Sequence, residues 1–433
     1  MNTTIAQIEE VVARTLDARA QILARRSTDS IIAAIAETAG KWLTPSSHWR
    51  AKAVAEAPAV TGFSEAMVHE AIDLTFGALT HEALGELLDR ELGNRRVLDE
   101  FCLRGRTHAR AVGPPLIVHF LAGNVPPPGI VSICCGLLLK SANLVKCSHN
   151  DPVFPQLFVD SLREVDAELA DCVAVLNWPR DETILTQTAL NRADAAIVYG
   201  DDTTIATLQK LAPTAVHLAG YGRKLSFAIV AKEAMTTDNL PALTAAAAFD
   251  ASVYDQQGCL SPHLFYVEER GELGPRKFAE ALATAMAEYQ QRVPRGALTV
   301  EEAASVTQVR ESYEFRGASD RRVAVWASPT PNEWTVVYED DPSFMPSPLS
   351  RTVFVKPTDG FKRVLDSIQR YTGKISTVGV APLNERAMAF ATDLAQMGVH
   401  RVCAIGQMQR PPLTWHHDGR PNLADLVRWT DLG

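Results

Sequence analysis

The sequence predicts an α/β protein made of two doubly wound units, each a mostly parallel sheet with helices on both faces. From Leu116 onward, short apolar runs alternate with helical segments, and this alternation restarts after about Arg223. Such a pattern is typical of right-handed βαβ crossovers. A chain of 433 residues is also longer than one ordinary core requires, so two or three subdomains are expected.

The predicted elements follow from local periodicity. The first ~90 residues are predicted to be helical, because apolar residues recur at a helical period, with a second amphipathic stretch over 64–88. Predicted strands of the first unit are Leu116–Phe120, Leu144–Val145, Val173–Leu176, Ala195–Tyr199 and Ala215–His217. Those of the second unit are Ser226–Val230, Leu264–Glu268, Val323–Trp326, Thr335–Tyr338, Thr352–Val355 and Arg401–Ala404. Helices are predicted at Pro275–Gln291, Gly360–Tyr371 and Asn384–Met397, and the tail after Gly406 is predicted to be irregular.

Composition narrows the class of protein. Hydrophobic residues make up 46% and charged residues 21%, as in a folded globular protein. A formal net charge of −9 argues against a nucleic-acid-binding surface. The longest apolar run, Gly129 to Leu139, is shorter than the roughly 20 residues that span a bilayer, so no membrane span is expected.

Cysteine and histidine usage suggests free thiols and no metal. Seven cysteines form an odd set without framework spacing, which favours a reducing cytoplasmic location. His69-Glu70 and His81-Glu82 lack the second histidine of a metalloprotease helix. No metal site is therefore predicted.

Cys259 is the candidate nucleophile. It follows the polar, flexible run Gln256-Gln257-Gly258 and precedes a predicted strand, so its sulfur is expected on a turn. The alternative is an inert buried thiol, the usual state of a free cysteine. That alternative is assigned to the six cysteines in apolar or strand-like contexts, which are Cys102, Cys134, Cys135, Cys147, Cys172 and Cys403.

Asn124 is the candidate oxyanion donor. In Gly123-Asn-Val-Pro126 it ends a buried strand and precedes prolines that open a helix, so its amide can point beyond the carboxyl edge of the sheet. An ordinary turn asparagine is the alternative. A thiol and an amide of this kind are the two parts that acyl transfer through a thioester requires.

A nucleotide site is less distinct in the sequence. The G-x-G-x-x-G fingerprint is absent, but Tyr199 is followed by Gly200, Asp201, Asp202 and Thr203 at the end of a predicted strand. These residues either help to hold a phosphate or nicotinamide at a helix N-terminus or simply cap that helix, and the two acids favour the cap.

Two further residues lie at predicted strand ends. Lys146 can reach ribose hydroxyls or phosphate, although most lysines are merely solvated. His217, at the end of Ala215–His217, is either structural or an acid–base group for the thiol or the leaving group.

Taken together, these segments resemble the aldehyde dehydrogenase superfamily and, within it, the LuxC-type bacterial acyl-CoA reductases. Gly123–Pro126 matches the superfamily's Asn-Phe-Pro turn, Ser141–Lys146 the strand that ends in a cofactor-binding lysine, and Gln256–Pro262 the nucleophile turn. The ending His417–Trp429 is similar to the reductase branch. The resemblance implies Asn124 as oxyanion donor, Lys146 at the adenosine ribose and Cys259 as nucleophile.

Departures from the superfamily pattern indicate the reaction and the cofactor. His217-Leu-Ala-Gly220 stands where aldehyde dehydrogenases carry Glu-Leu-Gly-Gly, whose glutamate activates water, so thiol exchange is the expected exit for an acyl-enzyme. Gly-Ser-Thr before the cofactor helix is replaced by Gly200–Thr203. Lys146 is followed by Cys147 and Ser148 with no acid, which favours NADPH at a site that includes Ser148, with NADH as the alternative.

The resulting expectation is an NADPH-dependent reductase that converts an acyl-CoA or acyl-protein thioester to an aldehyde through an acyl-enzyme on Cys259. The alternatives are a non-acylating aldehyde dehydrogenase and an acyl-carrying transferase subunit without reductase activity. The resemblance also implies an acyl-activating partner enzyme and a homo-oligomer. The expected domains are a cofactor domain (1–94 and 115–223), a catalytic domain (224–405) and oligomerisation segments (95–114 and 406–433).

Overall fold

The computed structural model describes residues 3–123, 125–148 and 151–433 and divides into two compact units. The first unit comprises Met1–Thr61, Val68–Arg223 and Pro412–Gly433, and the second comprises Gly62–Met67 and Lys224–Pro411. The division after Arg223 falls where the sequence predicted that the strand–helix alternation restarts. The predicted oligomerisation segments were 95–114 and 406–433. Residues 95–114 and 412–433 belong to the first unit, whereas 406–411 belong to the second.

The N-terminal region is helical, as predicted. Its helices are α1 (Ile5–Gln21), α2 (Thr28–Leu43), α3 (His48–Thr61), α4 (Glu65–Gly77) and α5 (His81–Leu92). Thr4 begins α1 with a reciprocal capping box to Gln7. The amphipathic stretch 64–88 is two helices rather than one, because Thr80 caps a new helix through the Ala83 N–H. An antiparallel hairpin follows, formed by β1 (Cys102–Arg104) and β2 (Thr107–Val112).

A five-stranded parallel sheet forms the centre of the first unit. In chain order its strands and connecting helices are β3 (Leu116–Phe120), α6 (Pro127–Leu138), β4 (Ala142–Lys146), α7 (Val153–Val165), α8 (Ala167–Ala170), β5 (Val173–Leu176), α9 (Thr183–Arg192), β6 (Ala195–Tyr199), α10 (Asp202–Leu211) and β7 (His217–Tyr221). The spatial order is β5-β4-β3-β6-β7. Since all the strands are parallel, Lys146, Leu176, Tyr199 and Tyr221 share one carboxyl edge.

The prediction that His217 ends a strand is wrong. His217 begins β7 and pairs with Ala195 at the amino edge of the sheet, whereas Tyr221 pairs with Tyr199 at the carboxyl edge. Thr214–Val216 form a turn after α10, because Pro213 cannot continue that helix. The strand is therefore displaced toward the C-terminus, and the exposed His217 lies at the edge opposite to Lys146.

A seven-stranded sheet forms the second unit. Its elements are β8 (Leu225–Val230), α11 (Leu240–Ser252), β9 (Pro262–Glu268), α12 (Pro275–Arg292), α13 (Val300–Gly317), β10 (Val323–Ala327), β11 (Thr335–Glu339), β12 (Thr352–Thr358), α14 (Phe361–Ile368), β13 (Ile375–Ala381), α15 (Glu385–Gln396) and β14 (Arg401–Ala404). The order is β10-β11-β12-β9-β8-β13-β14, parallel except for β10. Strand β13 and helix α13 were not predicted.

Helices cover both faces of this sheet, so its central strands alternate between two apolar cores. Phe227, Tyr266 and Phe354 face one core, whereas Phe265 and Val267 face the other. The strand predictions that succeeded are those with near-continuous apolar runs, as expected for strands buried on both faces.

The tail after Gly406 was predicted to be irregular, and this prediction is wrong for its last residues. Strand β15 (Arg428–Leu432) pairs antiparallel with β2. The resulting sheet has the order β1-β2-β15 and brings the two predicted oligomerisation segments together. The Arg104 guanidinium lies 4.2 Å from the Trp429 ring centre and holds the tail against the hairpin. Within the described part of the chain, no helix is both long enough and apolar enough to cross a membrane.

Candidate functional site

Cys259 lies in a turn between α11 and β9, as the sequence predicted, and its side chain is partly exposed. The peptide group of Cys259 is held by β8, the strand that lies beside β9 in the sheet. The buried Ser226 hydroxyl of β8 donates a hydrogen bond to the Cys259 carbonyl (2.7 Å) and accepts one from the Thr377 N–H (3.2 Å). Because the backbone of this turn is held in place, the thiol can be kept in a fixed orientation for attack on a carbonyl.

Cys259 is more exposed to solvent than most of the other cysteines. Burial raises the pKa of Cys135, Cys147 and Cys172 to about 12 and that of Cys403 to about 11. Cys134 is also buried, and its pKa is raised well above the ordinary value. Since the thiolate is the nucleophilic form, these five thiols are poor nucleophiles. Cys102 and Cys259 are the two partly exposed thiols, and Cys102 lies on the hairpin.

A second set of contacts holds the end of the Cys259 turn. The Gln409 amide donates to the Ser261 hydroxyl (2.8 Å) and to the Asp250 carbonyl (3.0 Å). The Asp250 carboxylate, near the end of α11, accepts from the backbone N–H groups of Gly406 and Met408. Burial raises the pKa of Asp250 to about 7, despite these hydrogen bonds. The segment after β14 is thereby tied to the nucleophile turn.

In the first unit, Lys146 and Arg180 lie close together at the carboxyl edge of the sheet. Lys146 ends β4, and both its burial and the nearby Arg180 guanidinium lower the pKa of its ammonium group. Arg180 follows β5 and is well exposed. Ser148, two residues after Lys146, pairs with Asp151 in an isolated antiparallel bridge. Sequence reasoning missed Arg180, since an isolated arginine in a loop gives no signal of its neighbours.

The segment Gly200–Thr203 caps a helix. The Asp201 carboxylate accepts from the Thr204 N–H (2.6 Å) and from the Thr204 hydroxyl (2.7 Å), which lowers the pKa of Asp201. Arg180 also donates to Asp201 and to Thr204. Of the three residues predicted as possible caps, Asp201 is the N-cap, and its negative charge already occupies the N-terminus of α10. Asp202 and Thr203 are exposed in the first turn, so this helix end is not prepared for a phosphate.

Aromatic rings cover the carboxyl end of β7. Tyr199 and Tyr221 stack with ring centres 5.0 Å apart, and the His417 ring stacks on Tyr221 at 4.4 Å. Trp415 stacks on His417 in turn, at 4.8 Å. The histidine at this edge is therefore His417 from the tail rather than His217. Sequence reasoning missed this placement, because it depends on where the tail docks.

Asn124, the predicted oxyanion donor, lies outside the described residues, as does His149 after Ser148. Cys259 belongs to the second unit and Lys146 to the first. Among the described residues, no group of three or more His, Cys, Asp or Glu side chains is arranged to hold a metal.

Comparison with known proteins is consistent with this combination of a parallel-sheet unit and a cysteine-turn unit. The acyl-CoA reductase (LuxC) family model matches residues 23–429. The chain belongs to the acyl-CoA reductase (LuxC) family. The long-chain acyl-protein thioester reductase of Aliivibrio fischeri is 28% identical over 426 residues, covering 97% of this chain and 85% of that protein. The long-chain acyl-protein thioester reductase 2 of Photobacterium leiognathi is 26% identical, covering 90% and 79%.

Solved structures confirm the predicted aldehyde dehydrogenase fold. The putative aldehyde dehydrogenase PutA from Anabaena variabilis superposes with a TM-score of 0.70 at 15% identity, covering all of this chain and 93% of that one. A NAD-dependent benzaldehyde dehydrogenase from Corynebacterium glutamicum gives 0.70 at 13% identity, covering 100% and 91%. The LuxC-family chain is therefore an oxidoreductase built on this fold, and membership of a reductase family implies a nicotinamide cofactor.

The carboxyl edge of the five-stranded sheet fits such a cofactor in part. Lys146 and Arg180 provide cations after β4 and β5, at the carboxyl edge of the sheet, which is the edge where doubly wound sheets bind their ligands. The N-terminus of α10 does not fit a phosphate, because the Asp201 carboxylate caps it. In this LuxC-family chain, Lys146, Ser148 and Arg180 are thus the residues suited to hold the nucleotide.

Proposed function

We propose that this protein reduces an acyl thioester to the aldehyde through an acyl-enzyme formed on Cys259. The observation that carries the proposal is the state of that thiol. It is partly exposed on a turn whose peptide group is fixed by the buried Ser226 hydroxyl, whereas five other cysteines are buried with raised pKa values. Membership of a reductase family supports the same chemistry.

In the proposed reaction the Cys259 thiolate attacks the thioester carbonyl, and the original thiol leaves. The oxyanion is assigned to the Cys259 backbone N–H and to Asn124, the latter on the resemblance of its turn. One such donor typically contributes about 10²–10³ in kcat. The acyl-enzyme is then reduced, and the free thiol of Cys259 is restored when the aldehyde leaves.

Lys146, Ser148 and Arg180 are proposed to hold the nicotinamide cofactor, which supplies the hydride when bound. NADPH is the proposed form, because the Lys146 and Arg180 cations flank the end of β4 and the Asp201 carboxylate nearby is engaged by Thr204 and Arg180. Such an edge favours a 2′-phosphate over a bare ribose hydroxyl. Binding of 2′,5′-ADP and 5′-AMP by calorimetry tests this preference without any turnover.

The acyl donor is proposed to be a thioester carried on a protein. The relatives from Aliivibrio and Photobacterium are named long-chain acyl-protein thioester reductases, whereas the family model is named for acyl-CoA. Aldehyde formation from a long-chain acyl-protein and from the matching acyl-CoA, compared at equal concentration, decides between the two donors. An acyl-activating enzyme would supply the former.

The test of the whole proposal is intact-mass spectrometry after incubation with a long-chain acyl thioester in the absence of nicotinamide. The expected result is one acyl adduct that maps to Cys259, is absent from Cys259→Ala, and is cleared on adding NADPH with release of aldehyde. Cys102→Ala is the matched control, because Cys102 is the other partly exposed thiol, and it should acylate normally. Full aldehyde formation by Cys259→Ala would refute the proposal.

The same incubation distinguishes the two rival functions. Acylation without reduction by NADPH or NADH would identify an acyl-carrying transferase subunit. Conversion of the adduct, or of added aldehyde, to free acid would identify a non-acylating aldehyde dehydrogenase.

Assembly and location are proposed on separate grounds. The sheet β1-β2-β15 exposes the apolar side chains of Leu103, Val112 and Leu432, and we propose that it mediates homo-oligomer formation. Light scattering of the wild-type protein and of a Leu103→Ser/Leu432→Ser variant tests this.

Seven free cysteines support a reducing, cytoplasmic location.

A further inference from the structure

Two segments of the second unit each place three consecutive non-glycine residues in the left-handed backbone region. Tyr254, Asp255 and Gln256 have φ angles of 54°, 51° and 66°, immediately before the Cys259 turn. The second triplet is Leu349, Ser350 and Arg351, with φ angles of 69°, 53° and 59°, at the entry to β12. This conformation is unfavourable for L-residues because the Cβ crowds the following carbonyl, so it persists only where surrounding contacts impose it.

The two left-handed turns are bound to each other. The Arg351 guanidinium and the Asp255 carboxylate form an ion pair at 2.8 Å, and the Arg351 side chain is only 1% exposed. The Gln256 side chain accepts from the Thr352 N–H (2.9 Å) and donates to the Thr352 carbonyl (3.0 Å). Each turn therefore supplies contacts that hold the other in its unfavourable conformation.

A third element provides further partners for both charges. Arg351 also donates to the Gln290 side chain of α12 (2.7 Å) and to the Val293 carbonyl (3.0 Å). The Gly296 N–H donates to the Asp255 carboxylate (3.0 Å). Removing either partner of this buried ion pair is expected to be strongly destabilising, because the remaining charge would be buried without compensation.

Gln256 also connects this pair of turns to the nucleophile loop. Its amide nitrogen donates to the Pro262 carbonyl (2.9 Å), so one fully buried carboxamide joins the two ends of the loop 257–261. Cys259 lies at the middle of that loop, where Ser226 holds its carbonyl. The position of the Cys259 backbone thus depends on the Gln256 carboxamide at the loop ends and on the Ser226 hydroxyl at the centre.

We propose that the paired left-handed turns, 254–256 and 349–351, are a device that positions the Cys259 thiol for acyl transfer, with Gln256 and Arg351 as positioning residues. They act through the backbone of the Cys259 loop and do not touch the acyl group. The inference rests on the proposed function of Cys259. A displacement of about 1 Å at a reacting group can lower a rate by about 100-fold, so loosening this loop should be visible in the acylation step.

The experiment measures acylation of Cys259 by a long-chain acyl thioester without nicotinamide, in single turnover and by intact mass. The background is Cys102→Ala, which leaves Cys259 as the one partly exposed thiol in the described chain. Gln256→Met keeps the side-chain length but removes its three hydrogen bonds. Tyr313→Phe is the matched control, because it removes a buried hydrogen bond to Glu339 elsewhere in the same unit. Thermal unfolding and alkylation by iodoacetamide are measured for every variant.

Gln256→Met should acylate ten- to a hundredfold more slowly, while alkylation by the small, geometrically undemanding iodoacetamide falls less than threefold. Tyr313→Phe should lose thermal stability but acylate within twofold of the parent. Arg351→Lys retains the charge pair but cannot also reach Gln290 and Val293, so its acylation rate should fall three- to tenfold. A folded Gln256→Met variant that acylates at the parental rate would reduce the paired turns to a purely structural role and overturn the inference.

Gln256→Glu adds a readout that stability alone does not produce. A protonated glutamate keeps an acceptor for the Thr352 N–H and one O–H donor, whereas the ionised form repels both carbonyls. The ratio of its acylation rate to the parental rate should therefore rise as the pH falls. Should Gln256→Met fail to fold, Gln256→Glu and Arg351→Lys carry the test, and parental rates at every pH in both would overturn the inference. Failure of the parent itself to acylate refutes the function of Cys259 instead.

Discussion

Replacing Gly136 by alanine is predicted to destabilise the protein, because helix α6 lies against strand β4 with no room for a methyl group. A Cβ built on Gly136 would lie 1.8 Å from the Asn143 side-chain oxygen and 2.9 Å from its Cγ. Asn143 is fully buried, so its side chain cannot turn toward solvent. The perturbation lies on the strand that ends at Lys146, a residue of the candidate site.

The magnitude follows from the hydrogen bonds that Asn143 would lose. Its oxygen lies 2.9 Å from His119 Nε2, and its amide donates to the Ser141 carbonyl (2.8 Å). Leaving a buried polar group unsatisfied costs about 1–3 kcal/mol, and two such groups are affected. Alanine offsets about 1 kcal/mol of this through its higher helix propensity. The free energy of unfolding should therefore fall by about 1–5 kcal/mol.

The assay is urea unfolding followed by far-UV circular dichroism, with Gly40→Ala as the matched control. Gly40 lies inside α2, and a Cβ there meets nothing within 4 Å, so alanine should stabilise the protein by about 0.5–1 kcal/mol. The double variant Gly136→Ala/Asn143→Ala makes room for the methyl group. It should be less destabilised than the sum of the two single variants.

A urea unfolding midpoint for Gly136→Ala that equals or exceeds the midpoint for Gly40→Ala would refute the reasoning. It would show that α6 can move away from β4 without breaking the buried contacts of Asn143. Additive single and double variants would refute the steric cause, even if Gly136→Ala were unstable.

Three other predictions concern the site and its surroundings. His217→Ala should keep aldehyde formation within about twofold in a steady-state assay, since His217 is exposed at the amino edge of its sheet; a hundredfold loss would contradict this placement. Arg180→Met should weaken binding of 2′,5′-ADP more than that of 5′-AMP in calorimetry, and an equal loss for both would remove Arg180 from 2′-phosphate recognition. Burial raises the pKa of Asp250 from 3.8 to about 7, so its protonated form stabilises the fold at low pH and this stabilisation is lost as the pH rises toward 7. The stability of the wild type relative to Asp250→Asn should fall over that range, by roughly 1.4 kcal/mol per pKa unit, and a pH-independent difference in urea midpoints would contradict it.

Most of the fold could be predicted from the sequence, because its strands are continuous apolar runs between helices. Ala195–Tyr199 and Leu264–Glu268 are of this kind and were located to within two residues. Ile375–Ala381 was missed, since serine, threonine and glycine interrupt its apolar run although the strand is buried. The β7 strand was displaced because its small residues, Ala219 and Gly220, carry little strand signal.

The candidate site was predictable only where chemistry and local pattern coincide. Cys259 follows a glycine in a polar run, and that local feature was enough to place it on a turn. Arg180 and His417 gave no such signal, because their roles depend on a neighbouring strand and on the docking of the tail. Contacts between residues far apart in the chain are not encoded in any short pattern.

The left-handed turns show the same limit most clearly. Glycine or asparagine normally marks a positive φ, yet none of the six residues in the two triplets is either. Tyr254 and Arg351 are large residues that local propensity would never assign to this conformation. Their conformation is imposed by partners about a hundred positions away, through the Arg351–Asp255 ion pair and the Gln256–Thr352 hydrogen bonds. Local preference is thus overridden within five residues of the proposed nucleophile, where contacts with a distant segment impose the backbone conformation.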